Sequence, residues 1–153
     1  MLSLFSQIPD IKLELYVAGD CKGVIDNFQS DNIIVNGLLP REKYIEKIRN
    51  GADILINIGN SNSLQSPSKF LELLSTGLPV VNFYYKMDSN FEMTQKYPLG
   101  LNISQNGELD KGILSDFCKS VCGKQLSFDE VKKLFPDNLL ENQLKKLDKM
   151  INS

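Results

Sequence analysis

The residues best suited to chemistry sit in one stretch, Gln65-Ser-Pro-Ser-Lys-Phe-Leu-Glu-Leu-Leu-Ser-Thr-Gly-Leu-Pro-Val81. Ser66 is a good N-cap and Pro67 a good first helical residue, so a helix is expected from Pro67 to Thr76, stopped by Gly77. The amides of Ser68 and Lys69 then fall in the first turn, where N–H groups lack intrahelical acceptors. Those donors and the helix dipole together form an anion site. A lysine there is unfavourable by ~0.3–1 kcal/mol unless an anion such as a diphosphate sits at the helix tip. The plain alternative is a Lys69 that extends into water. Glu72 follows Ser68 by four and Lys69 by three, which places all three on one helix face. A carboxylate held there suits ribose hydroxyls; otherwise Glu72 is a solvated partner of Lys69, an exposed pair of little worth.

Two further loops have the right composition. Asn36-Gly-Leu-Leu-Pro40 is a candidate base-binding segment. Its backbone groups around Gly37 can read a base edge, and Leu38 supplies an apolar wall; simple turn chemistry also accounts for Gly37 and Pro40. Gly19-Asp20-Cys21-Lys22-Gly23 is a weaker phosphate-loop candidate, since no G-x-G-x-x-G or P-loop pattern accompanies it.

What is missing narrows the chemistry. The 153 residues contain no His, which removes the Ser-His-Asp triad and imidazole metal ligands. No Asp-x-Asp pair is present to hold a metal–diphosphate complex. Catalysis must run on Lys, Glu, hydroxyls and backbone amides, with no metal expected. Cys21, Cys118 and Cys122 have no metal-like spacing and read as reduced, buried small hydrophobes. The net charge of −2 gives no basic field for nucleic acid. No apolar run approaches the ~20 residues of a membrane span.

These candidates need elements to hold them. A helix end over 1–8 precedes a strand at 12–18, in which Leu13, Leu15 and Val17 share one side. A short helix at 23–30 buries Val24, Ile25 and Phe28. A strand at 32–36 is followed by a helix after Pro40 with Tyr44, Ile45 and Ile48 as its stripe. Strands at 53–58, 79–84 and 99–103 are separated by the helix at 67–76 and by a long loop at 85–98. Helices at about 108–122, 128–134 and 138–151 close the chain, the second opened by the capping box Ser127-Phe-Asp-Glu130. Such alternation predicts one α/β domain over 1–153, a parallel sheet with helices on both faces and a C-terminal helical segment over 127–153. Ligands of these sheets bind beyond the carboxyl ends of the strands. A doubly wound domain normally opens on a strand, whereas this chain opens in a helix. The expected sheet therefore lacks its first strand, with truncation favoured over an artificial start at Met1.

The pattern resembles the C-terminal, donor-binding domain of GT-B glycosyltransferases of the capsule and lipopolysaccharide type. Leu13 to Asp20, Ile33 to Pro40 with Ala52 to Ile56, and Ser66 to Val81 carry the likeness, the last ending in Gly77-Leu-Pro-Val-Val81. The resemblance implies a Rossmann-like half of a two-domain enzyme that moves a sugar from a nucleoside-diphosphate sugar to a glycan or lipid-linked acceptor. It implies donor contacts at Gly19, Asp20, Gly37, Leu38, Ser66, Ser68, Lys69 and Glu72, with Lys69 neutralising the leaving diphosphate. The partner it implies is a missing N-terminal acceptor-binding domain. The setting is cytoplasmic, with any peripheral attachment at the inner face of a membrane supplied by absent parts. The chain departs from the family at Leu64, where the first of two helix glutamates would stand. That departure keeps two alternatives open: a nucleotide-binding or regulatory module without transfer, or one subunit of a split glycosyltransferase.

Overall fold

A computed structural model describes residues 1–17, 22–25, 30–59, 69–107 and 110–138 of the chain. In order, these form α1 (Leu2–Phe5), β1 (Leu13–Tyr16), α2 (Lys22–Ile25), β2 (Ile33–Asn36), α3 (Arg41–Gly51), β3 (Leu55–Ile58) and α4 (Phe70–Ser75). There follow β4 (Val80–Tyr84), α5 (Ser89–Lys96), β5 (Gly100–Ser104), α6 (Lys111–Val121) and α7 (Phe128–Leu134), then a 3-10 turn at Pro136–Asn138. Phe28, Cys21 and all but the first residue of the helix expected at 138–151 lie outside the described residues. No helix among the described residues is long and apolar enough to cross a membrane.

The architecture is α/β, with every strand pair parallel. The strands form two sheets rather than one continuous one: β1 pairs with β2, and β3-β4-β5 form the second. Side chains alternate across a strand, and β4 divides the core accordingly. Val81 and Phe83 face a cluster with Leu4, Phe5 and Ile8 at the chain's start and Leu114 and Cys118 of α6. Val80 faces the opposite cluster, with Phe70 and Leu74 of α4, Tyr97 after α5 and Val131 of α7. Helices thus flank both faces. Burying each of these large side chains stabilises the fold by about 1.5–3 kcal/mol.

The helix expected from Pro67 is described from Phe70, with Lys69 at the N-cap position in helical backbone (φ −76°, ψ −13°). Its stop is as expected. Gly77 has φ +76°, and a Cβ there would lie 2.0 Å from the Leu126 carbonyl oxygen. Leu126 in turn donates its amide to the Gly77 carbonyl (2.9 Å), which ties the end of α4 to the segment before α7. The capping box is present, with Ser127 and Glu130 bonded reciprocally.

Four expectations are corrected. The stretch 85–98 holds a helix, α5, capped by Asp88, whose carboxylate accepts from the amides of Asn90 and Phe91 (3.0 Å each). Its buried face is polar, Asn90 and Thr94, so no apolar stripe announces it. The stripe of α3 is poorly seated: Tyr44 and Ile45 are 42% and 37% exposed, and the helix has no buried residue. Cys122 is exposed, whereas Cys118 is buried as expected, because α6 ends at Val121 and the chain turns outward beyond it. Lastly, the single sheet is divided.

A polar row crosses the second sheet at one register, Asn57 opposite Asn82 opposite Asn102. Asn57 donates to Asn82 (2.7 Å), Asn82 to Asn102 (2.8 Å) and Asn102 to the Phe91 carbonyl (3.0 Å). Asn82 is 1% exposed, so the bonds replace water that cannot reach it. Asn82→Ala strips both neighbours of a partner. We expect a loss of about 2–3 kcal/mol in denaturant unfolding, against well under that for the exposed Asn106→Ala. Gly77→Ala is expected to cost more than about 1 kcal/mol through strain at positive φ, read by the same measurement.

Candidate functional site

Parallel pairing places the ends of β1 and β2, Tyr16 and Asn36, side by side. The loop that follows β2 carries Gly37 and Leu38, and α3 then turns back along the sheet. Between them lies an open hollow of about 620 Å³ lined by Tyr16, Asn36, Gly37, Leu38, Lys43, Glu46 and Lys47 among others. No side chain of α3 is fully buried; Ile48 packs against the second sheet's core and Lys47 reaches Glu14 of β1. Leu38 is 69% exposed, so the apolar wall foreseen at this loop is open to an incoming ligand. Asn36 can both donate and accept, and Lys43 forms no ion pair among the described residues.

A charged cluster forms one side of the cavity. The Glu14 carboxylate accepts from Tyr16 Oη (2.7 Å) and pairs with Lys47 Nζ (2.9 Å) and Lys12 Nζ (3.0 Å). The Tyr16 hydrogen bond, then those from Lys47 and Lys12, hold the Glu14 carboxyl down at about 2. The same contact with Glu14 pushes the Tyr16 phenol and the Lys47 ammonium upward. Lys47 is thereby kept cationic and in place, and Tyr16 neutral. Tyr16, Lys43 and Lys47 are not among the residues singled out from the sequence. Their signal was available: Glu14 and Tyr16 occupy the strand face opposite Leu13 and Leu15, and Lys43 and Lys47 are four apart on one helix.

The remaining predicted residues are less assembled. Lys69 and Glu72 are exposed at the start of α4, and no ion pair joins them. The opposite side of that helix is seated as expected, with Phe70 and Leu74 fully buried. The described part of that helix begins at Lys69 and Phe70, so of the two amides expected to receive an anion only that of Lys69 is among the described residues. Gly19, Asp20, Ser66 and Ser68 lie outside the described residues. Gly37 and Leu38 thus share a cavity on the first sheet, while Lys69 and Glu72 share a helix on the second; no described contact joins the two pairs. Among the described residues no group of three or more His, Cys, Asp or Glu side chains comes together.

Comparison with protein-family models, curated protein sequences and solved structures found no match. The site is read from its own chemistry. The hollow offers an apolar wall, a carboxamide, loop backbone groups, the ammonium groups of Lys43 and Lys47 and the carboxylate of Glu46, a mixed lining suited to a small polar molecule.

The Glu14 cluster has a pH signature. A carboxyl whose pKa is depressed on folding stabilises above its ordinary value near 4.5 and loses that contribution as pH falls toward about 2. Glu14→Gln is therefore expected to lower the thermal midpoint at about pH 7 and to leave it nearly unchanged at about pH 2. A parallel loss at both pH values, followed by calorimetry, would show that packing and not charge is what the side chain contributes.

Proposed function

We propose that this chain is the donor-binding half of a GT-B glycosyltransferase, moving a sugar from a nucleoside-diphosphate sugar to a glycan or lipid-linked acceptor. One observation carries the reading. The loop bearing Gly37 and Leu38, singled out for a nucleotide base, lies at the carboxyl end of a parallel strand and opens onto a cavity, the place where such sheets take ligands. The proposed fold is Rossmann-like and one strand short. Its acceptor-binding half is supplied by a further domain, and the setting is cytoplasmic, with any peripheral hold on a membrane provided by other parts.

In this reading the base rests on Leu38 and pairs with the backbone near Gly37. The diphosphate reaches the start of α4, where Lys69 and the first-turn amides receive it, and Glu72 accepts from the ribose. Charge grows on the leaving diphosphate as the sugar–phosphate bond breaks. An ammonium fixed beside it lowers the barrier more than it tightens ground-state binding. Protein groups supply that charge, so the step requires no metal. Ser66, Ser68, Gly19 and Asp20 complete the proposed donor contacts.

A second reading is favoured by Leu64, which stands where the resemblance asks for a sugar-binding carboxylate. It is a nucleotide-binding module without transfer, and it shares the base and diphosphate contacts.

Calorimetric titration of the chain with a panel of nucleoside diphosphates and their sugars tests both readings. We expect at least one diphosphate to bind, and Lys69→Ala to weaken it by about 10-fold or more, the scale of a charge-assisted hydrogen bond. Glu72→Ala is expected to weaken nucleotides with an intact ribose and to spare inorganic pyrophosphate. Parent-like binding by both variants removes the donor-site assignment. Tight diphosphate binding with no preference for the sugar form favours the module over the transferase.

A further inference from the structure

The lining of the hollow carries charge of both signs. Lys43, Glu46, Lys47 and Asn50 recur along α3 at helical spacing and share the face that borders it. Lys43 and Glu46 bring opposite charges one turn apart, and neither forms an ion pair among the described residues. Lys47 is then the surplus positive charge of the lining, close to the Tyr16 phenol at the end of β1. Left to themselves, two ammonium groups, a phenol O–H and loop amides around a single carboxylate would make a receptor for phosphate.

Glu14 changes that balance from behind. It is not one of the residues that line the hollow, yet it binds two that do. Its Oε2 accepts from Tyr16 Oη (2.7 Å) and from Lys47 Nζ (2.9 Å). Lys12 shares the carboxylate through Oε1 (3.0 Å), outside the lining and with its side chain 61% exposed. A phenol has one proton, and that of Tyr16 is committed to Glu14, so what stays free on its oxygen is an acceptor. The charge of Lys47 is met at contact distance by a side chain only 22% exposed, where water screens the pair less than at open surface. Lys43 and Lys47 thus stand against Glu46 and Glu14, and the hollow is close to neutral. With its carboxyl held down at about 2, Glu14 keeps its charge throughout the neutral range.

We infer that Glu14 sets the specificity of the hollow: by holding the Lys47 ammonium and the Tyr16 proton, it reserves the site for an uncharged polar ring and turns anions away. This rests on the hollow being the base site proposed above. It adds that the ring bound there carries no charge and that the phosphates of a nucleotide stay outside. The rest of the lining fits such a ring, since Leu38 and Leu39 are apolar while the Asn36 and Asn50 carboxamides both donate and accept. Glu14 acts through Lys47 and Tyr16 and is a positioning residue.

The test follows the backbone amides of Gly37 and Leu38 by NMR in the whole chain, with phosphate-free nucleosides and inorganic pyrophosphate as separate probes. In the parent, at least one nucleoside is expected to shift both amides to saturation. Pyrophosphate is expected to leave them in place, whatever it does at Lys69. Glu14→Gln keeps the size of the side chain and removes its charge. Pyrophosphate is then expected to shift both amides, at an affinity at least about 10-fold above the parent's, and adding Lys47→Met is expected to abolish the gain. Tyr16→Phe leaves the Glu14–Lys47 pair in place and is expected to stay as blind to pyrophosphate as the parent. A merely structural Glu14 gives no such split, because both variants loosen the same contact. Saturable pyrophosphate shifts at Gly37 and Leu38 in the parent overturn the inference without any variant. So does a folded Glu14→Gln chain, its Val81 and Asn82 amides unmoved, that gains no pyrophosphate binding. Nucleosides that shift neither amide sink the base-site reading, while a pyrophosphate gain that Lys47→Met removes still upholds the part Glu14 plays against anions.

Discussion

A parallel ladder permits no hairpin return, and most of this molecule follows from that constraint. Each strand must be followed by a segment long enough to carry the chain back to the same end. All strand exits of a sheet then lie together, and the loops at those exits have no ladder bonds of their own to satisfy. The loop after β2 is free to offer its backbone at Gly37 for that reason. β4 shows the constraint at its strongest: flanked by two strands and covered on both faces, its first four residues are all buried.

The same constraint accounts for the uneven packing of the two halves. β3, β4 and β5 are held by two ladders, the asparagine row and two apolar clusters. β1 and β2 have one ladder and rely on Glu14, Lys47 and Tyr16 to fix α3 above them. A polar layer between a helix and a sheet holds position through a few directional bonds and leaves space between them. That space is the cavity with the chemistry. The face of α3 toward that space is polar, Lys43, Glu46, Lys47 and Asn50, while Ile48 of its apolar stripe packs on the second sheet's core.

Polar groups inside the second sheet do a different task. Asn57, Asn82 and Asn102 pair only when the strands are in one register, and a slip of one residue would bury three carboxamides without partners. They specify alignment where apolar side chains would tolerate a shift. Asn90 of α5 has no partner for either side-chain atom although it is 1% exposed.

The sequence by itself determined the α/β class, the helix stops and caps at Gly77 and Ser127, and the loop of Gly37 and Leu38, because periodicity and special backbone geometry are local properties. It missed α5, whose buried face is Asn90 and Thr94, since a polar face shows no apolar stripe; the Thr94 hydroxyl is satisfied within the helix by the Asn90 carbonyl. It placed Lys69 and Glu72 on one helix face but could not say whether they meet Gly37, a question of how two sheets sit together. Tertiary structure alone decided that the strands fall into two sets, that Lys47 reaches across to Glu14, and that a cavity remains beneath α3. Those outcomes depend on which surfaces are left without partners once the strands have paired, and no window of sequence contains that information.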